Sequence, residues 1–304
     1  MSDPNTIVPA PPRIWPRTDL TDLLTLHPVS DRVFINTWYE PNSSGFLFGG
    51  QLLAQVLVAA AMTVPDREPN ALHVFFVRPA SGKVPVRYEV DLTRDGGQFS
   101  TRTVFARQGG QVLCQAMVSF QTAASGFEHQ EAVAPPVPPP ESTRTIRRIV
   151  ADLNLSIDEA RYERFLSDHV MEARYPEPED LLLRLADASR MTTWFRPRTP
   201  IAPHAGFHAA ALAYATDWIC PYTAAMRHVR SVAGGELFPS SLNHAVWFHR
   251  PVRFDDWLLL ATDSPIAGGG RGHTRGQVFT REGVLVASMA QESLMQRQMP
   301  GVRG

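Results

Sequence analysis

The chain of 304 residues has little cysteine and almost no net charge, and it lacks any long hydrophobic run. Its two cysteines, Cys114 and Cys220, stand far apart with no C-x-x-C spacing, which excludes a disulfide framework and a thiolate metal site. They read as buried, reduced thiols of a cytosolic protein. Lys and Arg total 29 against 30 Asp and Glu, scattered along the chain. Phosphate binding needs a clustered basic excess, so no nucleic-acid partner is expected. No uninterrupted apolar stretch reaches membrane-spanning length, so no membrane span is expected. The opening M-S-D-P-N-T-I-V-P-A-P-P-R has no apolar core of a secretory signal, and Met299 to Gly304 is not an S-K-L type address. The expected location is therefore cytoplasmic.

Several catalytic signatures are also missing. There is no G-x-S-x-G elbow, no H-E-x-x-H and no paired Cys/His zinc spacing, so neither a serine hydrolase of that type nor a metal site is indicated. Gly268-G-G-R-G-H-Thr274 lacks the G-K-[ST] ending of a phosphate loop and lies between strand-like segments, so it reads as a β-turn. His73, His244 and His249 lie on apolar strands and read as hydrogen-bonded structural histidines. His73 and His244 stay as secondary site candidates, His244 because it stands three residues from Ser241.

What is present is a hydrophobic content of 44% with 19% charged residues, enough for an ample core in two domains or one large one. Two runs are unusual. Gly206 to Pro221, G-F-H-A-A-A-L-A-Y-A-T-D-W-I-C-P, is apolar nearly all round, which predicts a helix buried on most sides. It carries one carboxylate, Asp217, which must be paired, neutralised or used. Pro221 stands four residues on, where its ring clashes with the carbonyl of Asp217, so the helix should end or bend there. Gln51 to Met62, Q-L-L-A-Q-V-L-V-A-A-A-M, is the second such run; Gln51 and Gln55 form its only polar stripe.

Around these runs the chain repeats itself. After a proline-rich, extended or disordered start, Thr18 to Leu26 predicts a short helix with Thr as its cap, and Arg32 to Tyr39 predicts a strand. Strands are then expected at 73–77, 86–92, 100–107 and 112–120, with Asp95-Gly96-Gly97 as a hairpin turn. The second half offers strands at 191–196, 242–249, 257–262, 272–280 and 284–294. His73 to Pro79 answers His244 to Pro251, Thr101-Arg102 answers Thr274-Arg275, and Ser119 stands where the second copy has Gln291. Glu131 to Glu141, E-A-V-A-P-P-V-P-P-P-E, is a polyproline linker, followed by helical stretches such as Ile157 to Leu166. The predicted organisation is an N-terminal extension with a short helix (1–30), a first unit (31–123), a proline-rich and helical linker (124–170) and a second unit (171–304). Each unit is an antiparallel sheet wrapped around a central helix, an α+β class.

The motifs Gly49-G-Q-L-L-A-Gln55, His73-V-F-F-V-R-Pro79, Asp95-G-G-Q-F-S-T-Arg102, Gly126-F-E-H-Gln130, Tyr214-A-T-Asp217, Trp247-F-H-R-Pro251 and Val286-A-S-M-A-Q-Glu292 resemble, in order, those of the type II acyl-CoA thioesterases. The resemblance covers about residues 30–296 and implies a double hotdog that hydrolyses fatty acyl-CoA without metal or organic cofactor. It implies a water-holding set at Asp217, Ser241 and Gln291, with Ser241 where the family usually has Thr and Asn70 where some members have His. Ser keeps the hydroxyl but loses the methyl that fixes its rotamer. The chemistry agrees: a thioester carbonyl is electrophilic enough for a positioned water, burial would strengthen Asp217 as a base, and Ser241 and Gln291 can each donate and accept. Gly49 and Gly50, at a helix start, offer N–H groups to an oxyanion. A second reading is a catalytically weak acyl-CoA-binding or sensing protein. A third is a hotdog hydratase or dehydratase, disfavoured because no histidine follows Asp217 closely. A homo-oligomer, dimer or tetramer, is a further expectation, with sheet edges as its route.

Overall fold

The computed structural model describes residues 10–42, 44–154, 170–176, 189–204, 206–228, 237–251 and 253–297. The helix expected at Ile157 to Leu166 lies outside them. The first half contains β1 (Arg13–Ile14), α1 (Leu20–Leu24), β2 (Leu26–Ser30), β3 (Val33–Asn36), β4 (Trp38–Tyr39), α2 (Gly49–Ala61), β5 (Glu68–Phe76), β6 (Arg87–Asp95), β7 (Phe99–Gln108) and β8 (Gln111–Gln121). After α3 (Ile146–Asp152) come β9 (Met171–Arg174), β10 (Arg190–Pro197), α4 (Phe207–Thr216), α5 (Cys220–Ala225), β11 (Leu237–Phe248), β12 (Leu258–Gly268), β13 (Arg271–Phe279) and β14 (Leu285–Arg297).

Among the described residues the large sheet has 12 strands in the order β2-β3-β6-β7-β8-β5-β11-β14-β13-β12-β10-β9. Each half supplies six, and the two halves join edge to edge where β5 pairs antiparallel with β11. Pairing of Ala245 with His73, Asn243 with Phe75 and Trp247 with Ala71 makes the halves two-fold related about this seam. This is the double hotdog. α2 and α4 lie side by side against the sheet; the backbone of α2 comes so near α4 that a Cβ on Gly50 would stand 2.7 Å from the carbonyl oxygen of Tyr214. Only glycine permits that approach. Twelve of the thirteen residues of α2 are buried, which its lack of a polar face required.

Several boundaries differ from expectation. The cap of α1 is Asp19, whose carboxylate accepts from Thr21 N–H at 2.9 Å, in place of Thr18. The strand expected over Arg32 to Tyr39 is broken at Thr37, and β4 pairs in parallel with β1 outside the large sheet. The helix of the second unit stops at Thr216, with Asp217 as its C-cap. Pro221 then sits in the first turn of α5, the one helical turn that tolerates a missing N–H.

The proline-rich linker is more than a spacer. Trp194, Trp257, Leu259 and Phe279 form a buried cluster on the outer face of the second unit, with Ala132, Ala134 and Val137 packed over it. Trp194 Nε1–H donates to the Pro138 carbonyl at 3.0 Å, and Gln130 bonds both the carbonyl of Gly283 and the N–H of Leu285. The sheet edges are blunted: β2 carries Pro28 and a register shift, and β9 has four residues including Glu172 and Arg174.

Candidate active site

The site forms where the start of α2, the end of α4 and the β11–β14 pair converge. Phe48, the N-cap of α2, offers no side-chain bond, so the helix opens with backbone groups toward a cavity of about 400 Å³. Gly49, Phe76, Asp217, Trp218, Pro221 and Ser241 line this cavity, and Arg78 is at its rim. A Cβ on Gly49 would lie 2.7 Å from Asp217 Oδ2, so the first residue of α2 must be glycine for the carboxylate to stand there. The positive end of a helix favours such an anion. Asp217 is only 5% exposed.

Ser241 reaches Asp217 because of a bulge. In β11, His244 faces inward opposite Gln291 and Asn243 faces outward opposite Glu292. Plain alternation would turn Ser241 outward with Asn243. The register shift between Ser241 and Asn243 inserts Leu242 and brings Ser241 opposite the buried Ser293, on the inner face. Ser241 Oγ then donates to Asp217 Oδ1 at 2.9 Å. It is Ser241 that makes this bond, although Ser240 also lines the cavity.

Gln291 is fully buried and absent from the cavity wall. Its Nε2 donates to Ser241 Oγ at 2.9 Å and to Ser293 Oγ at 3.0 Å, while Oε1 stands 2.5 Å from His244 Nδ1. The other ring nitrogen of His244 is 3.0 Å from Thr216 Oγ1, next in sequence to Asp217. Both amide N–H groups of Gln291 are thus engaged behind Ser241, so Gln291 meets the cavity side of the site by way of the Ser241 hydroxyl. Burial pulls the His244 pKa down to about 4, with the Gln291 bond pushing the other way. Cys220 is equally enclosed; burial first, and Asp217 second, push its thiol well above the usual value, so it is no nucleophile.

Other expectations change with the structure. His73 points out of the sheet, its ring 5.1 Å from that of Trp247, and does not approach the cavity. Only Gly49 of the glycine pair lines the cavity; Gly50 serves helix packing. The two-fold relation matches Leu72 with His244 and, through the pairs Leu72–Val118 and His244–Gln291, Val118 with Gln291. Ser119 is therefore one register off as the counterpart. Likewise Arg102, opposite Val118, answers Thr274, opposite Gln291. Asn70 sits at the irregularity of β5 between Pro69 and Ala71, outside the cavity wall.

Sequence reasoning missed Ser293 and Thr216 as members of the network. Period-two spacing from Gln291 points to Ser293; Thr216 carries no such signal. It also missed a second buried chain. Tyr214 Oη–H donates to the fully buried Glu40 at 2.8 Å, and Glu40 N–H donates to Gln51 Oε1 at 2.9 Å. That pairing ties α4, one turn before Asp217, to the loop that leads into α2.

Two family models match the chain: the acyl-CoA thioesterase N-terminal domain over residues 38–121 and the acyl-CoA thioesterase C-terminal domain over residues 133–295. The second model begins inside the linker, consistent with its packing on that unit. Acyl-coenzyme A thioesterase 8 of Mus musculus is 35% identical over 285 residues, covering 91% of this chain and 88% of that protein. Acyl-CoA thioesterase 2 of Haemophilus influenzae is 31% identical over 280 residues, covering 91% and 96%. The crystal structure of an acyl-CoA thioesterase II, TesB2, from Mycobacterium marinum superposes with a TM-score of 0.74 at 34% identity, covering 92% of this chain and 98% of that one.

Proposed function

The chain belongs to the acyl-CoA thioesterase family of fused hotdog units, and from that premise we propose that it hydrolyses fatty acyl-CoA to free fatty acid and coenzyme A at Asp217. The observation that carries this reading is the position of Asp217: a buried carboxylate in a cavity wall, held by Ser241 on one oxygen and set against the first turn of α2 on the other. Asp217 accepts a proton from a water, and the water oxygen attacks the thioester carbonyl carbon. The carbonyl oxygen gathers negative charge at the N–H end of α2, where Gly49 lies. The tetrahedral intermediate collapses, the C–S bond breaks, and the departing sulfur takes the proton held by Asp217. Ser241 fixes the carboxylate, and Gln291 fixes Ser241.

The apolar side of the cavity, with Phe46, Leu47, Phe76 and Trp218, suits an acyl chain. The exposed Arg78 at the rim suits the phosphates of coenzyme A. A cytoplasmic location and assembly into a dimer or tetramer complete the reading; no helix among the described residues is long and apolar enough to cross a membrane. The test is free-thiol release from a panel of acyl-CoA chain lengths by the wild type and Asp217→Asn. Turnover by the wild type with loss in the variant is expected. Near-wild-type turnover by Asp217→Asn would sink the assignment, and binding without release at any chain length would favour a sensor.

A further inference from the structure

His244 is the one ionisable side chain of the inner network that the proposed chemistry does not use, and its surroundings define its task. The direction of the bonds on its Gln291 side follows from counting protons. Ser241 has a single hydroxyl proton, which it gives to Asp217 Oδ1 at 2.9 Å. Its oxygen must then accept from Gln291, so the amide nitrogen faces Ser241, and its second hydrogen faces Ser293 at 3.0 Å. The amide carbonyl is thereby turned to His244 Nδ1 at 2.5 Å, and a carbonyl only accepts. Nδ1 must carry the proton. Nε2 is then the acceptor, facing Thr216 Oγ1 at 3.0 Å, and the Thr216 hydroxyl donates to it, its one proton shared with the Ala213 carbonyl at 2.8 Å. If the amide were flipped, its oxygen would face Ser241 Oγ without a proton between them, and the bond to Asp217 or the bond to Gln291 would be lost.

We propose that His244 is a positioning residue whose Nδ1–H holds the Gln291 carbonyl and so fixes the direction of donation from His244 through Gln291 and Ser241 to Asp217. The chain ends on the carboxylate and cannot run the other way. It keeps the Ser241 proton on Oδ1, which leaves Oδ2, beside Gly49, as the oxygen turned to the first turn of α2. Thr216 places the same ring from the helix side, so one imidazole ties the last residue of α4 to β14. The first unit has no such device: Leu72 and Val118 stand at the corresponding positions, both buried. A leucine therefore fits this layer of the fold.

This inference rests on Asp217 acting as the base, and its test separates the two. His244→Leu keeps the bulk and removes the donor; its kcat should fall about 10- to 100-fold with KM changed less than about threefold, as for a misplaced but intact site. His244→Asn, whose amide nitrogen can occupy the place of Nδ1, should recover most of that loss, whereas His244→Asp, which offers only acceptors, should not. Nitrogen-15 NMR of the histidine rings in the wild type should show the proton of His244 on Nδ1 and not on Nε2. Full kcat in a folded His244→Leu, equal loss in the Leu and Asn variants, or an Nε2–H tautomer would each overturn the proposal. If Asp217→Asn keeps its turnover, the base assignment falls, while the tautomer still reports on His244. If Asp217→Asn is inactive and His244→Leu is not impaired, the positioning role alone falls.

Discussion

Gly49→Ala isolates the geometry of the site from the stability of the fold. The added methyl would lie 2.7 Å from Asp217 Oδ2, 3.6 Å from its Cγ and 3.6 Å from the ring of Phe76. Carbon and a carboxylate oxygen do not rest that close, so the carboxylate must move by about half an ångström or more, against the Ser241 bond on Oδ1. Displacements of about 1 Å at a reacting group cost about a hundredfold in rate. Overpacking costs about 1–3 kcal/mol, and replacing glycine by alanine in a helix returns about 1 kcal/mol, so the net stability change should be within about 2 kcal/mol. The expected outcome is a kcat lowered at least tenfold, a midpoint of thermal unfolding shifted by only a few degrees, and a near-normal KM. Free-thiol release measures the first and third, and circular dichroism the second. Gly126→Ala, whose added methyl meets nothing within 4 Å, is the control. A Gly49→Ala enzyme with kcat within about twofold of wild type would refute the placement of Asp217 against the α2 terminus.

The neighbouring glycine should behave in the opposite way. In Gly50→Ala the methyl meets the carbonyl oxygen of Tyr214 at 2.7 Å and runs into the Phe48 ring, and backbone cannot swing aside. A loss of about 1–3 kcal/mol in denaturant unfolding is expected, with kcat per folded molecule reduced less than in Gly49→Ala. Stability should also fall on acidification. The unfolded chain takes up a proton at His244 near pH 6.5, while burial delays uptake in the fold to about pH 4. The contribution is full above pH 6.5 and is lost as pH falls toward 4, up to about 3 kcal/mol. His208 and His249, also lowered by burial, act in the same direction, so the share of His244 is read as the difference in the pH slope between wild type and His244→Asn. An unchanged slope would contradict the buried, neutral ring.

The landmarks of the site were legible because they depend on local rules. A run without a polar face has to be buried, and a proline four residues after a carboxylate ends the helix at that carboxylate. Those two facts alone bring Asp217 to the end of α4. The pairing of the strands that frame it was not legible in the same way. Matching His73 with His244 by eye is off by one, and in a strand one residue decides between inner and outer face. The register places His73 outside against Trp247 and His244 inside against Gln291.

The sequence by itself determined the two buried helices, the duplicated unit, the linker and the acid, since each is written in periodicity, proline placement or repetition over a few residues. Only the tertiary structure decided that Ser241 turns inward, because a bulge resets the alternation that a sequence displays. It likewise decided that Gln291 meets Ser241 from behind the cavity wall, that Gly49 faces the cavity while Gly50 faces α4, and that the linker covers an aromatic cluster. Those relations join segments distant along the chain, and their outcome depends on which atoms of the two units meet across the sheet and between the helices.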